Sequence, residues 1–355
     1  MNRAEPGRHG HPPAGYPAAT EKSAGFKRLR ASDVGYEELG RTLLRVTGRA
    51  PWRMLNGVLT GAAPEGDRRH GRATFHAVLT PKGKMVTDLR ALLVSRDPEV
   101  LLLDVPVSGS EPFIAHLKKY VPPRFAKVAD ISDDMGALTI TGAEAAEAVS
   151  GVSAAGAGAD GSTAVTAEAL GGLAAGEWTA PDGDPSRLVI VRSDEVWPPA
   201  FTILGRRDLV SGVQKTLTVS GMIDGSAELW RTLRLEAEHS PVYGIDMDDT
   251  VIPVEAGINL RAIDYHKGCY TGQEVIVRIR DRGRVNRHLR RLRLGGMAPP
   301  PAGTPLSFPD TGKPAGYVTS SAWSPRFRET VALAYVRREA EEVLVEGRTV
   351  SAAGG

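Results

Sequence analysis

The chain has 355 residues, 41% hydrophobic and 24% charged, a composition that fits a globular protein of two or three compact units. Its 44 basic and 42 acidic residues leave a net charge of +2, so no global field demands a polyanionic partner. No apolar run is long enough to span a bilayer, and one cysteine excludes both an internal disulfide framework and a metal site built from cysteines alone.

In chain order, residues 1–34 are rich in Pro, Gly and charge and lack the apolar stretch of a secretory signal; they are expected to form a disordered tail. "DVGYEELGRTLLRVTG" has apolar residues at helical spacing and is predicted as a helix. Three strand-like runs follow near 72–80, 84–95 and 99–106, the first two joined by a hairpin turn at Pro81-Lys82-Gly83. "EPFIAHLKKYV" reads as a helix, "FAKVADIS" and "ALTITG" as strands, and "AEAAEAVSG" as a helix. Residues 35–150 thus suggest an α+β unit with an antiparallel sheet. The Gly/Ala-rich stretch 151–176 is expected to be a flexible insertion holding one short helix at most. Residues 177–289 form a second α+β unit, with a strand at "SRLVIVRS" and helices at "RRDLVSGVQKTL" and "SAELWRTLRLEAE". From 290 to 350, short strands alternate with Pro/Gly turns, the pattern of a small β-barrel.

The only cysteine, Cys269, stands in "HKGCYTGQEV". A thiol acts as a nucleophile or metal ligand only as thiolate, and neighbouring positive charge favours that form; Lys267 and His266 lie close in sequence. Gly268 and Gly272 flank it and permit tight turns. The plainer alternative is a small buried hydrophobe. Further on, "VRIRDRGRVNRHLRRLRL" carries eight arginines against one aspartate. Arg278, Arg280 and Arg282 alternate, which predicts one face of a strand. Phosphate contact and a solvated strand edge are both open for this run, but it has no aromatic residue for stacking, which argues against nucleic acid.

"KGCYTGQE", residues 267–274, resembles the signature of the YgfZ family, folate-binding relatives of the glycine-cleavage T-protein. "LRLEAEHSPVYGIDMDDTVIPVEAGI", "RGRVNRHLRRL", "WRMLNGVLTG", "LTPKGKMVTDLRALL", "LKKYVPPRFAKVADIS" and "PAGYVTSSAWSPRFRETVALAYV" extend the resemblance over about residues 35–340. It implies two intertwined α+β folate-binding subdomains with antiparallel sheets, a C-terminal β-barrel, and tetrahydrofolate as cofactor. It further implies an accessory protein of the cytoplasm that supports iron–sulfur enzymes, including tRNA-modifying ones. Cys269 would be a redox or cluster-contacting thiol tuned by Lys267, in a motif completed by Gly268, Tyr270, Gly272, Gln273 and Glu274. One thiolate cannot hold a cluster alone, so a client protein would complete the shell; no resident metal site is expected.

The same resemblance places Glu236 on the pterin, with Asp88, Tyr243, Arg278 and Arg284 as further folate contacts. Two departures from the T-protein pattern stand out: Glu238 replaces the glycine after Glu236-Ala237, and "KGKMVTD" carries Thr87 where the first acid of an acidic pair belongs. The missing acid weighs against the alternative of a folate-dependent aminomethyl- or methyltransferase. A third reading is an RNA-binding module using residues 278–293.

Overall fold

The computed structural model describes residues 34–38, 40–156, 165–198, 200–219, 223–224, 227–237 and 241–352. The tail expected at 1–34 lies outside these residues except for its last position, as does the middle of the Gly/Ala stretch.

Three sheets organise the chain. The first is five-stranded and antiparallel, in the order β5 (Thr74–Leu79), β6 (Met85–Arg96), β7 (Glu99–Pro106), β2 (Arg41–Gly48) and β8 (Ala126–Asp130). The second has eight strands: β13 (Ile223–Asp224), β1 (Val34–Glu38), β9 (Met135–Gly142), β12 (Ala200–Arg206), β11 (Leu188–Ser193), β10 (Glu177–Thr179), β4 (His70–Arg72) and β3 (Glu65–Gly66). Only β1 and β13 pair in parallel there. Strands from before and after residue 150 are interleaved in this sheet in blocks of one to three, so the two halves of the chain interlock. The third sheet is β14 (Arg287–Arg293), β17 (Glu329–Arg337), β16 (Pro314–Ser324), β15 (Pro305–Ser307), β18 (Glu342–Val345) and β19 (Arg348–Ser351). It curls until β14 and β19 approach each other, which makes the predicted small barrel.

The helices are α1 (Pro51–Leu55), α2 (Val107–Tyr120), α3 (Ala145–Gly156), α4 (Ala167–Gly171), α5 (Arg207–Val219), α6 (Ala227–Glu236), α7 (Asn259–Ala262) and α8 (Gln273–Arg282). Among the described residues, no helix is long and apolar enough to cross a membrane. Helix α2 covers the outer face of the five-stranded sheet through Phe113 and Leu117, and α3, α4 and α5 cover the eight-stranded sheet through Val149, Leu170, Val213 and Leu217. Each fully buried Leu or Phe stabilises the fold by roughly 2–3 kcal/mol. The inner faces of the two sheets meet through Leu43, Leu92, Val94, Leu102, Val189, Val191, Leu204 and the fully buried Trp178.

Three expectations are corrected. Residues 35–48 form strands β1 and β2, not a helix. Leu43 points to the inter-sheet core while Leu44 and Val46 lie in the core under α2, so burial on both faces produced an apolar run that mimicked helical spacing. The stretch 151–176 is not a loose excursion at its ends: α3 runs to Gly156, and Leu170 of α4 is buried in the core of the eight-stranded sheet. Finally, Arg278, Arg280 and Arg282 sit on helix α8, not on a strand. The apolar residue that decides the matter is Ile276, fully buried from one face of the helix.

Candidate functional site

The inter-sheet space is apolar at one end and polar at the other, and strand β6 runs through both. Its alternation sends Leu92 and Val94 into the apolar part, and Arg90 and Asp88 into the polar part. Arg90 pairs in register with Asp104 on β7. The fully buried Asp104 carboxylate accepts from Arg90 Nε at 2.8 Å and Nη2 at 2.5 Å, and from Arg41 Nε at 2.5 Å. Burial alone would raise the Asp104 carboxyl, but Arg41 and Arg90 outweigh it and hold it below the usual carboxylate range.

From the opposite sheet, Thr202 Oγ1 lies 3.5 Å from Arg90 Nη1 and 3.2 Å from Thr139 Oγ1. The loop between β11 and β12 supplies Glu195, 3.9 Å from Arg90, and Asp194, which accepts from Arg261 Nη2 at 3.0 Å. Arg261, on α7, also lies 3.7 Å from Glu195 and stacks its guanidinium 4.4 Å from the centre of the Phe75 ring. Partial burial raises the Glu195 carboxyl, and Arg90 and Arg261 more than offset that rise.

Asp88 stands apart within this group. It is 5% exposed, and among the described residues no other residue meets its carboxyl with a hydrogen bond or an ion pair; its own backbone N–H is the one bond that favours the ionised form. Burial pushes it up to about 7; Arg41 pulls against that rise, Glu195 adds to it and Arg261 opposes it. Tyr243 is buried nearby, its hydroxyl pushed up to about 12 by burial first, then by Asp249, Asp248 and Asp88. A buried carboxyl without a partner costs free energy, and such groups cluster where a ligand completes them.

The octapeptide 267–274 is built into the same neighbourhood by a set of backbone bonds. Lys267 Nζ donates to the Leu59 carbonyl at 2.7 Å and the Gly61 carbonyl at 2.9 Å, and lies over the rings of Trp52 and Tyr270. Burial pushes its ammonium down to about 8. Gly61 N donates to His76 Nδ1 at 2.8 Å, which leaves Nε2 to donate to Thr74 Oγ1 at 2.8 Å; burial holds His76 neutral by pushing it down to about 3.

Thr271 N donates to the Gly57 carbonyl, and the Tyr270 ring is buried against Leu79 and Met85. Gly272 caps α8 with φ +83°, and a Cβ there would lie 2.6 Å from the Thr80 carbonyl oxygen. Gly83, at φ +74°, approaches Val275 so closely that a Cβ would stand 2.8 Å from Val275 Cγ1. Both glycines are required because helix α8 rests directly on the β5–β6 turn.

Cys269 itself is exposed, and among the described residues no hydrogen bond joins it to Lys267, whose ammonium turns inward to carbonyls. Gln273 and Glu274 open α8, and the exposed Glu274 pairs with Arg278 at 2.5 Å; Gly268 and Arg284 are exposed. Glu236 serves a different place: its Oε1 accepts from Ser324 Oγ at 2.5 Å and Arg326 N at 2.9 Å, which ties α6 to the β16–β17 turn. Beside it, Asp246 is locked by Arg234 at 2.6 Å and by the hydroxyls of Thr319 and Ser320, both at 2.6 Å.

The later arginines also have structural partners: Arg287 lies over Tyr335 beside Glu255, Arg290 and Arg291 donate to the Ala352 and Ala237 carbonyls, and Arg293 pairs with Glu329. Sequence reasoning picked out Asp88 but missed Arg41, Arg90, Asp104, Glu195 and Arg261. A signal for one of them was present: Arg90 recurs at period two with Asp88 inside a twelve-residue strand that is mostly apolar.

This architecture can be compared with known proteins. Over 93% of this chain and 87% of the other, it superposes with a TM-score of 0.76 at 19% identity on the crystal structure of glycine cleavage system aminomethyltransferase T from Bartonella henselae. The fold is that of the T-protein. Residues 287–353 match the glycine cleavage T-protein C-terminal barrel domain, which assigns the third sheet of the T-protein fold to that module. In sequence, the chain is 27% identical over 286 residues to an aminomethyltransferase of Rubrobacter xylanophilus, covering 79% of this chain and 71% of that protein. It is 26% identical over 319 residues to an aminomethyltransferase of Synechococcus elongatus, covering 87% and 78%.

Proposed function

We propose that the polar end of the inter-sheet space binds a reduced folate, and that the chain acts on a one-carbon unit carried by that folate, in the manner its aminomethyltransferase relatives suggest. The observation that carries this reading is the buried Asp88 carboxyl, which no other described residue meets with a hydrogen bond or an ion pair. A pterin edge, with hydrogen-bonding groups side by side on a flat ring, is the kind of ligand that satisfies such a carboxyl. The fit is selective. Asp88 is available to a pterin, whereas Glu236 spends an oxygen on Ser324 and Arg326 and belongs to the barrel junction. Tyr243, buried within reach of the Asp88 field, would line the same pocket. Bound folate would supply the nitrogen that receives the one-carbon group; this chain's residues would orient the ring, exclude water and hold a proton at Asp88.

A second reading, an accessory factor of the YgfZ kind that supports iron–sulfur enzymes, is favoured by one observation: Cys269 is exposed on a segment fixed by Lys267 and Thr271. A thiol so displayed suits contact with a client protein better than chemistry on a buried ligand.

The test is equilibrium binding of 5-formyltetrahydrofolate to wild type, Asp88→Ala and Glu236→Ala, with aminomethyl transfer to tetrahydrofolate assayed beside it. Loss of at least tenfold in affinity in Asp88→Ala, but not in folded Glu236→Ala, is the expected result. No binding by wild type sinks the folate reading. Binding without transfer moves the assignment to the accessory factor.

A further inference from the structure

Strand β5 and helix α7 form one wall of the pocket, and a single hydroxyl joins them. In the antiparallel β5–β6 pair, Ala77 stands opposite Asp88 and Phe75 opposite Arg90. Directly opposed residues share a sheet face, with Cβ atoms about 4.5–5.5 Å apart, so Phe75 and Ala77 lie on the same face as the Asp88 carboxyl. Arg261 completes this wall. Its guanidinium lies 4.4 Å from the centre of the Phe75 ring, and its Nη2 donates to Asp194 at 3.0 Å. A guanidinium has five N–H donors, and among the described residues one hydrogen bond leaves the Arg261 side chain. Donors therefore remain for a ligand beside Asp88.

Arg261 is carried by α7, a four-residue helix, and the last carbonyls of a helix have no donor within it. Thr60 supplies one. Fully buried, its Oγ1 lies 2.6 Å from the Ala262 carbonyl oxygen and accepts from Ala77 N at 2.9 Å. The Ala77 carbonyl oxygen is also 2.9 Å away, but a hydroxyl has one proton, and the shorter distance assigns it to Ala262. The Thr60 carbonyl accepts from Asp264 N at 2.9 Å, so Thr60 grips the end of α7 on both sides of Ile263. One hydroxyl thus joins the neighbour of Arg261 to the residue two places from Phe75, the two members of the stack. The carbonyls of Leu59 and Gly61, on either side of Thr60, are held by Lys267 Nζ, and Gly61 N by His76.

We propose that Thr60 is a positioning residue of this pocket: its hydroxyl holds α7 against β5 and so sets the Arg261 guanidinium on Phe75, where it donates to an acceptor of the ligand beside Asp88. The inference rests on the folate reading only for the identity of the ligand; in a pterin, the ring carbonyl next to the donor edge is such an acceptor. Valine keeps the shape of threonine and removes the hydroxyl, whereas serine keeps the hydroxyl and removes a methyl group. A residue that merely fills space is replaced better by valine, and one that positions through its hydroxyl by serine.

The experiment has two arms on the full chain. In the first, the Arg261 Nε–H signal is followed by NMR without ligand in wild type, Thr60→Val and Thr60→Ser, with Arg261→Gln to assign it. The Phe75 ring displaces this signal in wild type. In Thr60→Val it is expected at the position of a solvated arginine, and in Thr60→Ser near its wild-type position. A signal that stays in place in Thr60→Val, or that moves as far in the serine variant as in the valine one, overturns the proposal. Should the valine chain not fold, the serine variant decides alone, and a displaced signal there overturns the proposal.

In the second arm, 5-formyltetrahydrofolate is titrated into wild type, Thr60→Val, Arg261→Gln and the double variant. Each single change is expected to weaken binding by about tenfold, the size of one hydrogen bond to a charged group, and the double variant to bind no more weakly than Arg261→Gln. Losses that multiply to about a hundredfold in the double variant overturn the proposal, because Thr60 would then act independently of Arg261. Binding by Arg261→Gln equal to that of wild type overturns it as well and keeps the folate reading. The expected NMR shifts without folate binding by wild type leave Thr60 in its role and remove the folate reading.

Discussion

Replacing Asp88 by Asn should stabilise the ligand-free protein at alkaline pH, and the size of the effect follows from the pocket. In the unfolded chain the Asp88 carboxyl ionises near 3.8, whereas in the folded protein burial lifts it to about 7. A carboxyl raised on folding contributes no penalty below its unfolded value. Its penalty grows through the window between the two values and is complete above the folded one. Between pH 5 and the folded midpoint lie about two pH units, each worth about 1.4 kcal/mol, so wild type should lose about 2.7 kcal/mol relative to Asp88→Asn over that interval.

Urea unfolding of both proteins at pH 5 and pH 8.5, with the slopes compared to verify a common transition, measures this difference directly. Asn keeps the shape and adds no charge, so any cost of its amide should be similar at both values and cancel in the comparison. A variant whose stability relative to wild type is the same at pH 5 and pH 8.5 would refute the reasoning, because it would mean that Asp88 ionises alike in the folded and unfolded chains.

Three further outcomes follow from the octapeptide. Lys267→Met removes two bonds to the Leu59 and Gly61 carbonyls. Charge-assisted bonds of this kind contribute about 1.5–3 kcal/mol, so a loss of about 2–3 kcal/mol is expected, with faster amide exchange across residues 57–61 and 264–271. Gly272→Val places a side chain at φ +83° and against the Thr80 carbonyl, and should cost about 3 kcal/mol by urea unfolding, with the β5–β6 turn losing exchange protection. Cys269→Ser should leave stability within about 0.5 kcal/mol of wild type, and native wild type should take up one maleimide per chain as completely as the urea-unfolded protein does.

The parts of the fold that were legible are those where one local rule acts without competition. The Pro81-Lys82-Gly83 turn joins β5 to β6 because Gly83 supplies the positive φ, and α2 forms where Phe113 and Leu117 recur on one face of a covering helix. Residues 41–48 were not legible, because a strand buried on both faces loses its period of two. Nor was the network of charges near Asp88. Arg41 and Asp104 are 63 residues apart, and Arg90 and Thr202 are 112 apart; no local pattern links charges that only sheet pairing brings together.

The octapeptide illustrates the same separation of levels. In sequence, Lys267 two residues from Cys269 reads as a base tuning a thiol. In space, the two side chains diverge: the ammonium turns inward to the Leu59 and Gly61 carbonyls, while the thiol is exposed. What Lys267, Tyr270 and Gly272 do together is seat α8 and its leading loop on the turn between β5 and β6. Five residues beyond that turn, on the same continuous strand, stands Asp88. The signature therefore braces, through the backbone, the hairpin whose second strand presents the Asp88 carboxyl. A substitution in the octapeptide should reach ligand binding by moving β6 rather than by removing a contact.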